Sequence, residues 1–301
     1  MGESKYITGH REPSPVSHYL DLLGASTSRV RSHLCVGIDP VPSALPVSFR
    51  HTHVGIERWI DVLIAATAPY AAAFKMNLAY FEALGSEGMR LAEHVRRQVP
   101  PEIPLIIDVK RGDIGTTVAA QAIALFDVLG ADAVTANPYL GIGALAPILE
   151  RTDKFTYLLC RTSNPESGEL QSLRVGSSAV DPEETLAERV ARLAGRRTEG
   201  LAGRIGLVVG ATDVPALRQV RAAAPGLPFL VPGVGAQGGD ASLITSAGGA
   251  TSAPGDGHAG RGLLVNVGRG ITDAGAGDER TEAALSAAAA EWGQRLAILK
   301  P

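Results

Sequence analysis

Short apolar segments separated by helix-like stretches recur along the chain, and this alternation limits the possible folds more than any other feature. The apolar segments are nearly continuous in hydrophobicity, which is typical of parallel strands that helices cover on both faces. Eight such segments stand at 34–39, 71–77, 104–110, 132–139, 154–163, 204–211, 228–235 and 262–270. Stretches rich in Ala, Leu, Arg and Glu separate them, at 56–70, 86–98, 116–129, 183–196 and 213–223, with a last one at 279–299.

Eight strand–helix units predict an α/β protein with a single closed (β/α)8 barrel, the TIM-barrel architecture. An open doubly wound sheet usually has fewer strands. A dinucleotide-binding sheet is further disfavoured because no GxGxxG follows the first apolar segment, and the glycine-rich GVGAQGGD stands only at 233–240. We expect one catalytic barrel domain over 17–301 and a flexible N-terminal tail at 1–16, which is rich in polar residues and proline.

Composition excludes several classes of protein. With 301 residues, 45% hydrophobic and 20% charged, the chain is long enough for a large core. A formal charge of −3 gives no basic field for nucleic acid. No apolar run is long enough to span a membrane, so we expect no membrane association and a cytoplasmic location. Cys35 and Cys160 lie in apolar runs and are expected to be buried rather than to form a disulfide or a metal site.

Two long connections are expected at the carboxyl ends of the strands. One follows the fifth apolar segment, at 164–184, and the other follows the seventh, at 233–262. The second is rich in glycine, so it is expected to be too polar and flexible to pack as a helix. Long loops on this face of a barrel commonly cover an active site.

A charged cluster ends the third apolar segment, where residues 104–117 read PLIIDVKRGDIGTT. Because side chains alternate across a strand, we expect Asp108 and Lys110 on one face, with Asp113 in the following turn. Two carboxylates would then bracket one ammonium group. Burying three charges costs several kcal/mol per ion before they pair, which favours a catalytic use.

Other apolar segments also end in polar residues, and in a barrel these residues converge on one mouth. They are Asp39, Lys75, Asn77, Ser163 and Arg269. The ends of segments seven and eight are rich in glycine, which lets backbone N–H groups approach an anion, and barrels commonly bind phosphate there. The residues expected at this phosphate site are Gly233, Gly235, Gln237, Gly238, Gly268 and Arg269.

The stretch DVKRGDIGTT contains an Asp-x-Lys-x-x-Asp pattern, and CVGIDP, AFKMN, RTSNP, VPGVGAQGGD and NVGRGI stand around it in order. Over about residues 18–300 this set resembles the orotidine 5'-monophosphate decarboxylase family, and TSNP with the long fifth loop resembles its longer bacterial branch. The resemblance implies conversion of orotidine 5'-monophosphate to uridine 5'-monophosphate, the last step of de novo pyrimidine nucleotide biosynthesis. It also implies that no metal or organic cofactor is used.

The resemblance implies roles for the charged residues. Lys110 resembles the acid that protonates carbon 6 of the pyrimidine, and Asp108 the carboxylate that faces the departing group. Lys75 and Asp113 would complete an alternating network of charges. In the family, Asp113 and Thr117 reach into the neighbouring subunit's site, so the resemblance implies a homodimer.

Substrate-binding roles are implied in the same way. Asp39 resembles the ligand of the ribose hydroxyls and Ser163 the contact to the pyrimidine. Gln237 and Arg269 resemble the phosphate ligands, with Gly268 beside them. The stretch 239–261 is longer than the compact loop of the family, which leaves the boundary of the phosphate loop open.

Two alternatives stay open. A metal-dependent sugar-phosphate decarboxylase or aldolase of the same superfamily would need oxygen ligands, for which Asp39, Asp108 and Glu82 are candidates. Lys75 and the TSNP loop favour a pyrimidine nucleotide instead. A non-catalytic barrel that only binds a phosphate ligand would not need Lys110.

Overall fold

A closed barrel of eight parallel strands forms the centre of the computed structural model, which describes residues 19–176, 183–199, 201, 203–235, 238–277 and 281–298. The strands are β1 Leu34–Ile38, β2 Ala73–Asn77, β3 Leu105–Arg111, β4 Ala133–Ala136, β5 Phe155–Arg161, β6 Ile205–Val209, β7 Phe229–Val231 and β8 Leu263–Val267. Neighbours in sequence are neighbours in the barrel, and β8 closes onto β1. Each apolar segment therefore contains a strand, and the predicted (β/α)8 barrel is confirmed.

Helices surround this barrel. They are α1 Tyr19–Val30, α2 His53–Thr67, α3 Leu78–Glu82, α4 Gly85–Gln98, α5 Gly115–Ala122, α6 Ala146–Leu149, α7 Gly168–Gln171, α8 Leu186–Glu199, α9 Val214–Ala223, α10 Ala241–Ala247, α11 Arg269–Thr272 and α12 Thr281–Arg295. A π-helical turn at Ile123–Val128 continues α5, and a two-stranded antiparallel ribbon pairs Arg174–Val175 with Glu184–Thr185. Within the described ranges, no helix has the length and apolar character needed to cross a membrane.

Alternate residues of the strands face the barrel interior and the surrounding helices, and each set forms its own apolar cluster. Ala73, Ile106 and Ala133 belong to the inner cluster. Two residues further along the same strands stand Lys75, Asp108 and Thr135. The period of two therefore places these polar residues one layer higher, above an apolar floor.

Helix α1, which the sequence pattern did not predict, packs against the inner cluster. Tyr19, Leu20 and Leu23 are buried there. The Tyr19 ring stacks on Phe155 with 4.7 Å between ring centroids, and its hydroxyl lies 3.2 Å from the Tyr157 hydroxyl. Because these contacts join α1 to the beginning of β5, the helix covers the amino-terminal end of the barrel.

The expectation that 233–262 contains no helix is wrong, because α10 lies within it. The Asp240 side chain caps this helix by accepting hydrogen bonds from the N–H groups of Ser242 and Leu243. Ala241 and Ile244 are buried, so a short apolar stripe offsets the cost of ordering the segment. The predicted tail at 1–16 lies outside the described residues and stays a prediction.

Both cysteines are free and buried, as the sequence predicted. Burial raises the pKa of the Cys35 and Cys160 thiols to about 12, because it disfavours the charged thiolate. The two thiols are therefore protonated at neutral pH and act as small apolar side chains.

Candidate active site

Asp108 lies between two ammonium groups at the carboxyl end of the barrel. Lys75 Nζ is 3.0 Å from Asp108 Oδ2, and Lys110 Nζ is 2.7 Å from Asp108 Oδ1. The side chains of Lys75 and Asp108 are 5% and 11% exposed, whereas that of Lys110 is 46% exposed. The expectation of two carboxylates around one ammonium is therefore wrong within one chain, because one carboxylate holds two ammonium groups.

Strand β3 reaches this arrangement through an irregularity rather than through regular alternation. The β3–β4 register shifts between Ile107 and Arg111, and Lys110 has φ +49°, in the left-handed region that side chains other than glycine rarely adopt. Thr135 of β4 lies beside the irregularity. Its hydroxyl accepts hydrogen bonds from the backbone N–H groups of Val109 and Lys110, at 3.0 and 2.9 Å.

The charges of this cluster stabilise one another. Burial alone would raise the pKa of Asp108, but the ammonium groups of Lys75 and Lys110 outweigh it and hold that pKa well below its usual range. Burial alone would lower the pKa of Lys75, but Asp108 and then Asp39 outweigh it and raise that pKa. At neutral pH, Asp108 is therefore a carboxylate and Lys75 an ammonium.

A cavity of about 610 Å³ opens beside the charged cluster. Asp39 and Asn77 line it, and the backbone N–H of Asn77 donates a hydrogen bond of 3.2 Å to Asp39 Oδ1. Gly37 lines it too and pairs in register with Lys75. Lys75, Asp108 and Lys110 are not among the lining residues, but Gly37 and Asn77 place the cavity next to them, on the neighbouring positions of β1 and β2. The size suits a small ligand.

Glycine-rich turns after β7 and β8 also line this cavity, and the turn after β8 lies directly beside Gly37. Gly233, Gly268 and Arg269 line it. Gly233 and Gly235 have φ of +96° and +93°, which only glycine adopts without strain. Trp292 of α12 supports both turns, since its indole N–H donates to the Gly270 carbonyl and its ring packs beneath Gly235. Gln237 lies outside the described residues.

Ser163 also lines the cavity, in the turn that follows β5. The Gln171 carboxamide fixes this turn: its Oε1 accepts from the Thr162 N–H at 2.8 Å, and its Nε2 donates to Thr162 Oγ1 at 2.9 Å. Arg161 donates to Ser167 and Gln171 and forms an ion pair with Asp213 at 3.2 Å. The long loop after β5 is thus attached to the barrel beside Ser163.

Asp113 and Thr117 lie apart from the charged cluster. Asp113 is half-buried, and its Oδ1 accepts a hydrogen bond from the Ile114 N–H at 2.8 Å. Thr117 is exposed in the first turn of α5. Within a single chain, the structure therefore brings Lys75, Asp108 and Lys110 together and leaves Asp113 and Thr117 on the surface nearby.

Sequence reasoning missed two polar residues of this site. Thr135 is 1% exposed and contacts Asp108. Asn266 lines the cavity, and its Oδ1 is buried without a hydrogen-bond partner among the described residues. Both stand inside apolar segments, DAVTANPY and GLLVNVGRG, at positions with interior parity. A polar residue at such a position is the signal that could have found them.

The residues considered for a metal site are not assembled. Glu82 forms an ion pair with Arg111 instead of approaching Asp39 and Asp108. Across the part of the chain that the structure describes, no three His, Cys, Asp or Glu side chains are grouped to hold a metal ion.

Known proteins with similar sequences and structures indicate the family of this chain independently of the site geometry. The model of the Orotidine 5'-phosphate decarboxylase / HUMPS family matches residues 32–285. An orotidine 5'-phosphate decarboxylase from Polaromonas naphthalenivorans is 44% identical over 268 residues, which cover 88% of this chain and 91% of that protein.

Two solved structures from Leishmania donovani are also similar. OMP decarboxylase is 40% identical with a TM-score of 0.77, and the match covers 93% of this chain and 97% of that one. UMP synthase is 41% identical with a TM-score of 0.79, and the match covers 93% of this chain but only 56% of that longer one. This chain therefore spans about half the length of the UMP synthase.

Proposed function

Because the chain belongs to the Orotidine 5'-phosphate decarboxylase / HUMPS family, we propose that it converts orotidine 5'-monophosphate to uridine 5'-monophosphate without a metal or organic cofactor. The observation that carries the proposal is the Asp108 carboxylate held between the ammonium groups of Lys75 and Lys110 beside a cavity. The matching relative from Polaromonas naphthalenivorans has the name of this enzyme, which favours it over the metal-dependent alternative.

In the proposed reaction, the bond between carbon 6 and the carboxylate breaks, carbon dioxide leaves, and the electron pair stays on carbon 6. The Lys110 ammonium then gives a proton to carbon 6, and water returns a proton to the amine. Lys110 suits this role because its ammonium is fixed at 2.7 Å from Asp108, while its side chain is still 46% exposed. A positive charge placed beforehand next to a developing carbanion stabilises the transition state.

The proposed role of Asp108 is electrostatic. A substrate carboxylate beside it would be repelled, and departure of carbon dioxide relieves that repulsion. At 4 Å and an effective dielectric constant near 20, two unit charges interact by about 4 kcal/mol. Lys75 keeps Asp108 ionised, because the two groups are 3.0 Å apart and almost fully buried. Preorganised charges account for most of the acceleration in this proposal.

The proposed substrate contacts surround the cavity. Asp39 binds the ribose hydroxyls and Ser163 the pyrimidine, whereas Arg269 and the backbone of Gly268 bind the phosphate. All four line the cavity, which supports this assignment. Gln237 is proposed as a second phosphate ligand on the strength of the sequence resemblance. Phosphate binding far from carbon 6 would lower the barrier by stabilising the closed site.

We propose further that two chains form a homodimer with shared sites, in which Asp113 and Thr117 of one chain complete the site of the other. Exposed apolar side chains near Asp113 support it: Ile114, Tyr139 and Leu140 are 62%, 78% and 52% exposed. Mixing Lys110→Ala with Asp113→Asn protein tests it. Random exchange of subunits should restore about a quarter of wild-type activity if sites are shared. Absence of recovery despite verified exchange, or a monomer by light scattering, would contradict the proposal.

An absorbance assay with orotidine 5'-monophosphate in the presence of a chelator tests the reaction. We expect full turnover, because no step of the proposed mechanism needs a metal. Activity that depends on added metal would instead favour the sugar-phosphate alternative. A cytoplasmic location is proposed with this function, since the reaction serves nucleotide synthesis.

Lys110→Ala tests the proton donor. We expect turnover to be lost while binding of uridine 5'-monophosphate, measured by calorimetry, is largely kept. Arg111→Ala is a matched control on the same strand, since Arg111 pairs with Glu82 instead of Asp108. Equal loss of turnover and binding in Lys110→Ala would mean that the lysine is structural.

A further inference from the structure

We propose that Thr135 is a positioning residue that sets the direction of the Lys110 ammonium by holding the irregular end of β3. This inference rests on the proposed decarboxylase function and adds a residue that does not touch the substrate. It starts from the position of Thr135, which is 1% exposed on β4, directly beside the residues that would do the chemistry.

The hydroxyl of Thr135 uses its whole hydrogen-bonding capacity on β3. It accepts from the N–H groups of Val109 and Lys110, at 3.0 and 2.9 Å, and donates to Asp108 Oδ1 at 2.7 Å. A hydroxyl has one donor and two acceptor lone pairs, so none is left over. One side chain therefore holds three consecutive residues of the neighbouring strand.

These three bonds replace the regular ladder at the point where the β3–β4 register shifts. A regular strand would leave the N–H groups of Val109 and Lys110 to other partners and would send successive side chains to opposite faces. With the hydroxyl in place, the Lys110 backbone adopts φ +49° and its ammonium reaches Asp108. Strained backbone of this kind persists only where neighbouring groups fix it.

The same oxygen of Asp108 accepts from both Thr135 and Lys110. Asp108 Oδ1 is 2.7 Å from each donor, whereas Oδ2 faces Lys75. Thr135 thus fixes the carboxylate and the backbone of the lysine at once. If the hydroxyl is removed, the lysine keeps its charge, but its backbone and ammonium are no longer held in position. A displacement of about 1 Å in a reacting group can lower the rate by about 100-fold.

The test compares Thr135→Val, which keeps the shape and removes the hydroxyl, with Thr135→Ser, which keeps the hydroxyl. We expect kcat to fall by about 100-fold in Thr135→Val while KM and the affinity for uridine 5'-monophosphate change by less than about threefold. Thr135→Ser should keep kcat within about fivefold of wild type. Loss of kcat without loss of binding separates positioning from general damage.

Thr67→Val is the matched control. Thr67 is equally buried, and its hydroxyl donates to the Leu63 carbonyl at 2.7 Å, on α2 and away from the cavity. We expect unchanged kcat and KM in this variant. Should Thr135→Val fail to fold, Thr135→Cys takes its place, because a thiol has a similar shape and forms weak hydrogen bonds; kcat should then fall between the serine and valine values.

Three outcomes would overturn the proposal: near wild-type kcat in Thr135→Val, equal losses in the serine and valine variants, or a loss that appears in KM alone. Turnover by the wild-type protein tests the proposed function itself. An active wild type with an unaffected Thr135→Val would therefore refute the role of Thr135 and leave the decarboxylase proposal standing.

Discussion

Replacement of Asp108 by asparagine removes the one carboxylate that both ammonium groups contact, and the structure predicts a large loss of stability. Lys75 Nζ lies 3.0 Å from Asp108 Oδ2, and its side chain is only 5% exposed. In Asp108→Asn the Lys75 ammonium stays buried, and Asp39 is the remaining carboxylate whose charge acts on it. Lys110 is 46% exposed and keeps contact with water, so most of the cost falls on Lys75.

The size of the effect follows from the distance. At 3.0 Å and an effective dielectric constant near 20, two unit charges attract by about 5.5 kcal/mol. The variant recovers part of this energy because a neutral amide is easier to bury than a carboxylate. Removing one partner of a buried ion pair usually costs about 3–5 kcal/mol, and we expect about 3 kcal/mol here, because Asp39 still acts on Lys75. Because the unfolding entropy grows with chain length, about 2.1 cal/mol/K per residue over 301 residues, the melting temperature should fall by about 5 °C.

The assay is thermal and urea unfolding at pH 5 to 8, followed by circular dichroism. The pKa of Asp108 lies well below its usual range, so its contribution is present above the unfolded-state pKa and is lost only in strong acid. The contribution of Asp108 to the stability of the wild type should therefore be constant from pH 5 to 8.

Glu183→Gln is the matched control. Glu183 pairs with Arg174, but their side chains are 61% and 57% exposed, so we expect no measurable change in melting temperature. A melting temperature of Asp108→Asn equal to or above that of wild type would refute the reasoning. It would mean that the three charges strain the fold instead of stabilising one another.

Three further predictions concern other sites. Burial lowers the pKa of His33 from 6.5 to about 4, so the unfolded chain binds the extra proton first and acidification destabilises the fold. Urea unfolding should show a loss of about 2 kcal/mol from pH 7 to pH 5 that His33→Asn lacks. Gly37→Ala would place a Cβ 3.0 Å from Gly268 Cα at the cavity wall, so the Gly268 turn must shift, KM should rise and the melting temperature should fall; an unchanged KM would place the substrate elsewhere. Gln171→Leu removes the two hydrogen bonds to Thr162 that fix the turn carrying Ser163, so KM should rise several-fold. A change in kcat alone would contradict a role of this turn in substrate binding.

Several features of the fold follow from the sequence because they depend on residues close together in the chain. Near-continuous apolar runs such as LCVGI and LLVNV predicted strands buried on both faces, and each contains one. Alternation with period two also placed Lys75 and Asp108 above the apolar floor formed by Ala73 and Ile106. The comparisons confirm the family that the motifs around Asp108 suggested. The individual roles of the site residues stay predictions.

Other features depended on contacts between distant segments. Helix α1 lacks a distinctive pattern, and its packing becomes understandable only from the contact of Tyr19 with Phe155 and Tyr157 at the end of the barrel. Helix α10 forms within a glycine-rich stretch because Asp240 caps it and the Ile244 side chain is buried against the rest of the fold. A local sequence pattern predicts neither the contacts of Tyr19 nor the burial of Ile244.

The charged cluster shows most clearly which features the sequence determines and which depend on the tertiary structure. The sequence determined which residues carry charge and at which end of the barrel they lie. Only the tertiary structure decided that Asp108 contacts two ammonium groups, that Asp113 turns to its own loop, and that Thr135 holds Lys110 at φ +49°. Strand alternation is a local rule, whereas a register shift depends on hydrogen bonds from the neighbouring strand, 25 residues further along the chain.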